Sequence, residues 1–152
     1  MTFQKLVRKH RQKINAPKSV LVIPDLHDYP EDDKSRFKWI GQYATDMQPD
    51  YVVCLGDMAD MDSLCSHVPN DTYEGKFKPA FQKEMESLNE ALDVFNDAYK
   101  PDGDQKKYLT IGNHEYRMWL FENKNPEIYG MMQHAFLSVI ESHGWEWVQY
   151  GL

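Results

Sequence analysis

Side chains that commonly bind metal ions directly follow three short apolar runs of this sequence. The side chains are Asp25, His27, Asp57, Asp60, Asn113 and His114, and the runs cover residues 20–23, 51–55 and 108–111. Carboxylate and carbonyl oxygens beside imidazole nitrogens suit Mn, Fe or Zn better than a thiolate-preferring metal. One carboxylate can bridge two ions, and two ions about 3.5–4 Å apart form a clamp that activates water and holds a phosphoryl oxygen.

The elements that position these residues follow from the hydrophobic pattern. The continuous apolar run before Asp25 predicts a strand buried on both faces, and strands are also predicted before Asp57, before Asn113 and over 145–150. Helical spacing predicts a helix up to Pro49, a six-turn helix that includes Phe77, and a last helix that begins at Asn125-Pro126. The order βαβαβαβ predicts an α/β fold with a largely parallel sheet, in which the three ligand turns converge at the carboxyl edge.

Length and composition limit the classes of protein that fit. The chain has 152 residues, 41% hydrophobic content and a net charge of -7, which predicts one folded domain over 19–152 behind a basic N-terminal arm at 1–18. No apolar run reaches the roughly 18 residues of a membrane span, and the first residues lack an apolar signal core, so we expect a cytoplasmic protein without a membrane. Cys54, inside an apolar run, is expected to be a buried reduced thiol.

The three motifs together resemble the calcineurin-like metallophosphoesterase family. They are Asp25-x-His27, Gly56-Asp57-x-x-Asp60 and Gly112-Asn113-His114-Glu115, and the resemblance covers residues 19 to about 118. It implies a four-layer αββα sandwich with a dinuclear metal site. The helical excursion between the second and third motifs is also similar to phage-encoded members, for which the host cytoplasm would be the location.

By position, the resemblance assigns a role to each residue. Asp25 and His27 bind the first metal, Asp57 bridges, and Asn113 binds the second metal. His114 acts as general acid or electrostatic stabiliser, and Asp60 orients it. The implied cofactors are two divalent ions, with Mn²⁺ favoured over Fe, Zn or Ni. Glu115 matches the motif without an assigned role.

The implied function is metal-dependent phosphoester hydrolysis, of a diester or monoester, by a metal-bridged water. The family's later metal-binding His and Gly-His-x-His segment do not occur before Leu152, so we expect a domain truncated before those motifs and an incomplete second metal position. The alternative is a non-catalytic or split-gene remnant that binds metal weakly and acts only with a partner fragment. An anion-binding module is disfavoured because it does not need Asp25 and Asp57 beside an anion.

Partners and substrate remain open at this point. The basic arm slightly favours a nucleic acid (and hence a nuclease activity), whereas a nucleotide or a small phosphodiester is equally compatible with the motifs. A homo-oligomer or a complementing C-terminal fragment is a further expectation. Other candidate residues are weaker: His67, Tyr116 and Arg117 are placed where they could meet a substrate phosphate, whereas His134 and His143 are expected to be surface and helix-end residues.

Overall fold

Four parallel strands form one sheet in the computed structural model, which describes residues 18–149. The strands are β1 (Val20–Ile23), β2 (Tyr51–Cys54), β3 (Lys106–Thr110) and β4 (Trp145–Val148), and they lie in the order β1-β2-β3-β4. Val22 pairs with Val53, and Val53 pairs with Tyr108. The predicted α/β class with a largely parallel sheet is confirmed. Except for Lys18, the predicted basic arm lies outside the described residues.

Helices connect the strands in the described part of the chain. They are α1 (Ser35–Met47), α2 (Phe81–Ala98), α3 (Asn113–Lys124) and α4 (Met131–Ser142), with short 3-10 turns at Asp62–Leu64, Glu74–Phe77 and Pro126–Ile128. Among residues 18–149, no helix combines the length and the apolar character needed to cross a membrane.

The helices cover one face of the sheet. Parallel strands joined in chain order by right-handed crossovers place every connecting helix on the same side. Buried strand residues on that face are Ile23, Val52, Cys54, Leu109 and Trp145. On the other face Val20 and Val22 are each 51% exposed, so the prediction that β1 is buried on both faces is wrong for residues 18–149. The second sheet implied by the resemblance is not among those residues.

Two helix starts differ from the predicted ones because of local backbone chemistry. Phe77 belongs to a 3-10 turn, and α2 begins only at Phe81, since Pro79 holds the preceding Lys78 in an extended conformation (φ -57°, ψ 139°). The last helix begins at Met131, after Gly130 in the left-handed region (φ 86°). Asn125 and Pro126 instead start the short 3-10 turn that precedes it.

Candidate metal centre

The turns after β1, β2 and β3 lie side by side at the carboxyl edge of the sheet. They form two overlapping groups of metal-type side chains, namely Asp25 with His27 and Asp57, and His27 with Asp60 and His114. Within each group the candidate ligand atoms lie within 4.8 Å of one another. His27 is common to both groups, and its ring centroid lies 4.7 Å from that of His114. The structure therefore brings together five of the six predicted site residues.

Backbone pairing continues from the strands into the first two turns. The amide of His27 donates to the Asp57 carbonyl at 2.9 Å, and the amide of Asp28 donates to the Met58 carbonyl at 2.8 Å. The amide of Asp60 in turn donates to the Asp28 carbonyl at 3.0 Å. These bonds fix the two ligand turns relative to each other without any help from their side chains.

Several ligand positions have a left-handed backbone, which is uncommon for residues with a side chain. Asp25, His27 and Asp57 have φ values of 27°, 47° and 51°, and Met61 has 48°. This conformation turns the chain sharply after β1 and after β2. A residue held in this conformation costs about 1–3 kcal/mol in backbone strain.

Gly56 and Gly112 let the second and third turns approach closely. A Cβ on Gly56 would lie 2.6 Å from the Gly112 Cα, and Gly56 also has a φ of +98°. A Cβ on Gly112 would overlap the carboxylate and the amide of Asp57. The two glycines that precede the ligands are thus required by backbone contact as well as by turn geometry.

Glu115 joins the second and third turns from below. It is fully buried, and its Oε2 accepts the amides of Asp57 and Gly112, each at 2.9 Å. Its Oε1 accepts the amides of Met58 at 2.7 Å and Ala59 at 3.2 Å. Burial raises the pKa of the Glu115 carboxyl, while the N–H donors oppose that rise. The sequence motif contained this residue, but nothing in the sequence indicated this role.

The imidazole of His114 is held by its surroundings at both nitrogens. Nδ1 lies 2.8 Å from the Asp60 carbonyl oxygen, which can only accept, so Nδ1 carries a proton. Nε2 lies 3.2 Å from a guanidinium nitrogen of Arg117. Asp60 Oδ1 also lies 2.8 Å from His27 Nδ1 and 3.2 Å from His114 Nδ1. The role of Asp60 in orienting His114 stays a prediction that this geometry supports.

A buried ion pair supports the first turn from behind. The Lys34 Nζ donates to Asp28 Oδ1 at 2.6 Å, to the Tyr29 carbonyl at 2.7 Å and to Ser87 Oγ at 2.6 Å. The Ser87 hydroxyl donates to Asp28 Oδ2 at 2.6 Å. Beside this network, Arg36 donates to the His27 carbonyl at 2.9 Å. The sequence gives no sign of this network, because Ser87 is 53 residues from Lys34 and belongs to no motif.

The negative charges at the site also affect the pKa of a thiol in the neighbouring core. Burial raises the pKa of the Cys54 thiol to about 12, and the charges of Glu115, Asp25 and Asp57 add to that rise. Cys54 is buried and free, as predicted. This cluster of carboxylates is an environment that favours a bound cation.

The remaining candidate residues lie in different settings. Asn113 is the exposed first residue of α3, and its role as a metal ligand stays a prediction. His67 and His134 are exposed. His143 precedes β4, at the edge opposite the site, where Nδ1 contacts the Val139 carbonyl and Nε2 contacts Asp93. A metal role for His143 at this centre is therefore excluded by position.

The described residues thus form a parallel α/β domain with candidate metal ligands at the carboxyl edge of its sheet, where such folds place their ligands. A family model described as calcineurin-like phosphoesterase matches residues 18–148. The chain therefore belongs to the calcineurin-like phosphoesterase family, and the resemblance stated from its motifs is confirmed. Searches of curated proteins and of solved structures found no match.

Proposed function

We propose that this chain carries the metal site of a phosphoesterase that hydrolyses a phosphate monoester or diester. The observation that carries the proposal is the pair of ligand groups that share His27 at the carboxyl edge of the sheet. Family membership supports hydrolysis in general. The use of two ions, the preference for Mn²⁺ and a cytoplasmic location are parts of the proposal.

The donor set fits divalent ions of the Mn and Fe type, because it combines carboxylate oxygens with imidazole nitrogens. Asp25, His27 and Asp57 would hold one ion. Asp57 and Asn113 would hold the second, and His27, Asp60 and His114 offer a further set of donors close by. When bound, such ions activate water and stabilise negative charge on phosphoryl oxygens.

The side chains of the chain itself position the reacting groups and supply a proton. The bond from Nδ1 of His114 to the Asp60 carbonyl fixes the ring orientation, with Nε2 beside the Arg117 guanidinium at 3.2 Å. Once the contact with Arg117 is released and Nε2 is protonated, Nε2 would donate a proton to the departing alcohol oxygen, which is general acid catalysis. Glu115 and the paired turns hold Asp57 and His114 at a fixed separation, with the His114 amide donating to Asp57 Oδ1 at 2.9 Å.

The first test combines metal stoichiometry with hydrolysis. Purified chain is equilibrated with Mn²⁺, desalted and analysed for metal, and then assayed with p-nitrophenyl phosphate and bis-p-nitrophenyl phosphate. We expect Asp57→Asn to lose Mn²⁺ and activity together, and His114→Asn to lower kcat by about 10²–10⁴-fold, the usual contribution of a general acid.

Two exposed residues provide matched controls for this test. Asp104→Asn and His134→Asn make the same chemical changes away from the site, and we expect both to retain Mn²⁺ binding and activity. Full activity in both Asp57→Asn and His114→Asn, or a wild-type chain that binds no Mn²⁺, would contradict the proposal. A single weakly bound ion with no hydrolysis would favour the remnant alternative.

A further inference from the structure

We propose that Arg117 binds a non-bridging oxygen of the substrate's phosphoryl group. This inference rests on the proposed function, because it adds a substrate-binding residue to the same site. The contact joins the guanidinium directly to the phosphoryl oxygen, without a metal ion between them.

Arg117 lies one helical turn after His114 in α3, so both side chains project from the same face of the helix. One guanidinium nitrogen, Nη1, donates to the Asp60 carbonyl at 2.8 Å. The other, Nη2, lies 3.2 Å from His114 Nε2. The guanidinium therefore lies against the imidazole nitrogen that we propose as the proton donor, at the place where a phosphate ester must approach.

The charge of Arg117 is not neutralised by a carboxylate. None of the ion pairs among residues 18–149 includes Arg117. Its guanidinium contacts two carbonyl oxygens and an imidazole. The other cations near the site are engaged differently. Arg36 pairs with Asp32, and Lys34 is buried against Asp28. Among the described residues, Arg117 is therefore a half-buried cation near the centre whose charge is available to an incoming anion.

The chemistry of the side chain fits a phosphoryl group. A guanidinium has five N–H donors in a planar fork that matches the spacing of phosphate oxygens, and bonds to a charged acceptor are stronger than neutral ones. The contacts at Asp60, Met61 and His114 use three donor directions at most. Donors therefore remain for a ligand, and the weaker contact to His114 can be exchanged for one to phosphate.

A purely structural role makes a different prediction. Arg117 also touches the carbonyl of Met61, whose backbone is left-handed, so its function could be to tether the turn that contains Asp60. Loss of a tether would displace Asp60 and weaken Mn²⁺ binding. Loss of a phosphate contact would weaken phosphate binding and leave Mn²⁺ binding intact.

The test measures binding of inorganic phosphate at saturating Mn²⁺ by calorimetry, and separately the affinity for Mn²⁺. We expect Arg117→Met to weaken phosphate binding by about tenfold or more, as the loss of one charge-assisted hydrogen bond implies, with Mn²⁺ affinity unchanged. Arg117→Lys, which keeps the charge without the fork, should give an intermediate loss. Lys124→Met, which removes an exposed charge from the same helix, should bind phosphate and Mn²⁺ like wild type.

The outcomes separate this inference from the proposed function. Phosphate binding by Arg117→Met at wild-type strength would overturn the inference while leaving the phosphoesterase proposal in place. A parallel loss of Mn²⁺ affinity in Arg117→Met would assign the tether role and also overturn it. A wild-type chain that holds Mn²⁺ but neither binds phosphate nor hydrolyses an ester would contradict both.

Discussion

Glu115 accepts amide hydrogens from two ligand turns. One turn is 56–58 residues away from it in sequence, and the other contributes Gly112 of its own motif. Its two oxygens each serve two donors. A single buried carboxylate thus sets the separation of Asp57 and His114. Backbone amides that point at one acceptor would otherwise be buried without a partner.

Replacing Glu115 by Gln tests this role. A Gln side chain keeps one acceptor oxygen and places an NH₂ group where the other oxygen faced two amides, so two buried donors lose their acceptor. At about 1–3 kcal/mol for each, we expect the free energy of unfolding to fall by about 2–6 kcal/mol. Urea denaturation in metal-free buffer measures the change.

A matched control for this prediction is Glu90→Gln, at an exposed position of α2, which should change stability by less than about 0.5 kcal/mol. Wild-type stability in Glu115→Gln would show that the amides find other partners. The tetrapeptide motif in the sequence identified Glu115 as a residue of interest. Its partners could not be predicted, because they depend on how closely two separate turns pack.

At the scale of elements, the Lys34 network joins the start of α1, the turn after β1 and the middle of α2. Asp28 and Lys34 are 2% and 9% exposed, so neither charge is well solvated. Breaking a buried ion pair by removing one partner typically costs about 3–5 kcal/mol, because the other charge stays buried. The network is therefore a rigid support behind His27, which is next to Asp28.

A double-mutant cycle measures this coupling. We expect Lys34→Met to lower the free energy of unfolding by about 3–5 kcal/mol, and Asp28→Asn in the same chain to recover part of the loss, since it removes the uncompensated carboxylate. Thermal or urea unfolding of the four proteins gives the interaction energy.

The exposed pair Lys106–Glu146 is the control, since its nitrogen–oxygen distance of 2.9 Å is similar but both side chains are more than half exposed. Its coupling should stay below about 1 kcal/mol. Equal coupling energies in the two pairs would contradict a special role for burial at Lys34.

The elements themselves were largely predictable. The aliphatic runs before Asp25, Asp57 and Asn113 correspond to β1, β2 and β3, and α4 ends directly before His143, the predicted helix-end residue. The start of α2 at Phe81 was not predicted, because the apolar spacing from Phe77 continues through Pro79 while the backbone does not. Hydrophobic periodicity indicates which face of a helix is buried, whereas a proline limits where the backbone hydrogen bonds of the helix can begin.

For the whole molecule, the apolar pattern of β1 was misleading. A continuous run of aliphatic residues usually indicates burial on both faces, yet Val20 and Val22 are half exposed among the described residues. The reason is the strand order, which places all crossovers on one face. Strand order depends on contacts between distant segments, so it cannot be predicted from the sequence of a single strand.

Lys107 should make the stability of the folded chain depend on pH. It lies between the rings of Phe95 and Trp145 and donates to Asn96 Oδ1 at 2.7 Å, and burial lowers its pKa to about 8 from 10.5. Between these values the unfolded chain holds a proton that the folded chain has lost. The contribution of Lys107 to unfolding free energy therefore rises with pH from 8 to 10.5.

Comparison with Lys107→Met isolates this effect. From pH 7.5 to 10, we expect the stability of wild type relative to Lys107→Met to increase, measured by urea unfolding at each pH. The neighbouring Lys106→Met should track wild type over this range, because Glu146 raises the pKa of Lys106 and moves its titration to higher pH. A wild-type advantage that stays constant or falls would contradict the lowered pKa of Lys107.

The left-handed backbone at Asp25, His27 and Asp57 has a consequence for engineering and for evolution. Residues kept in a strained conformation oppose folding, so selection for thermal tolerance alone would replace them, preferably by Asn or Gly, which accept this conformation more readily. A chain optimised only for heat resistance would therefore drift toward an inert scaffold. The same replacements would yield well-folded proteins that no longer hold the proposed metal ions.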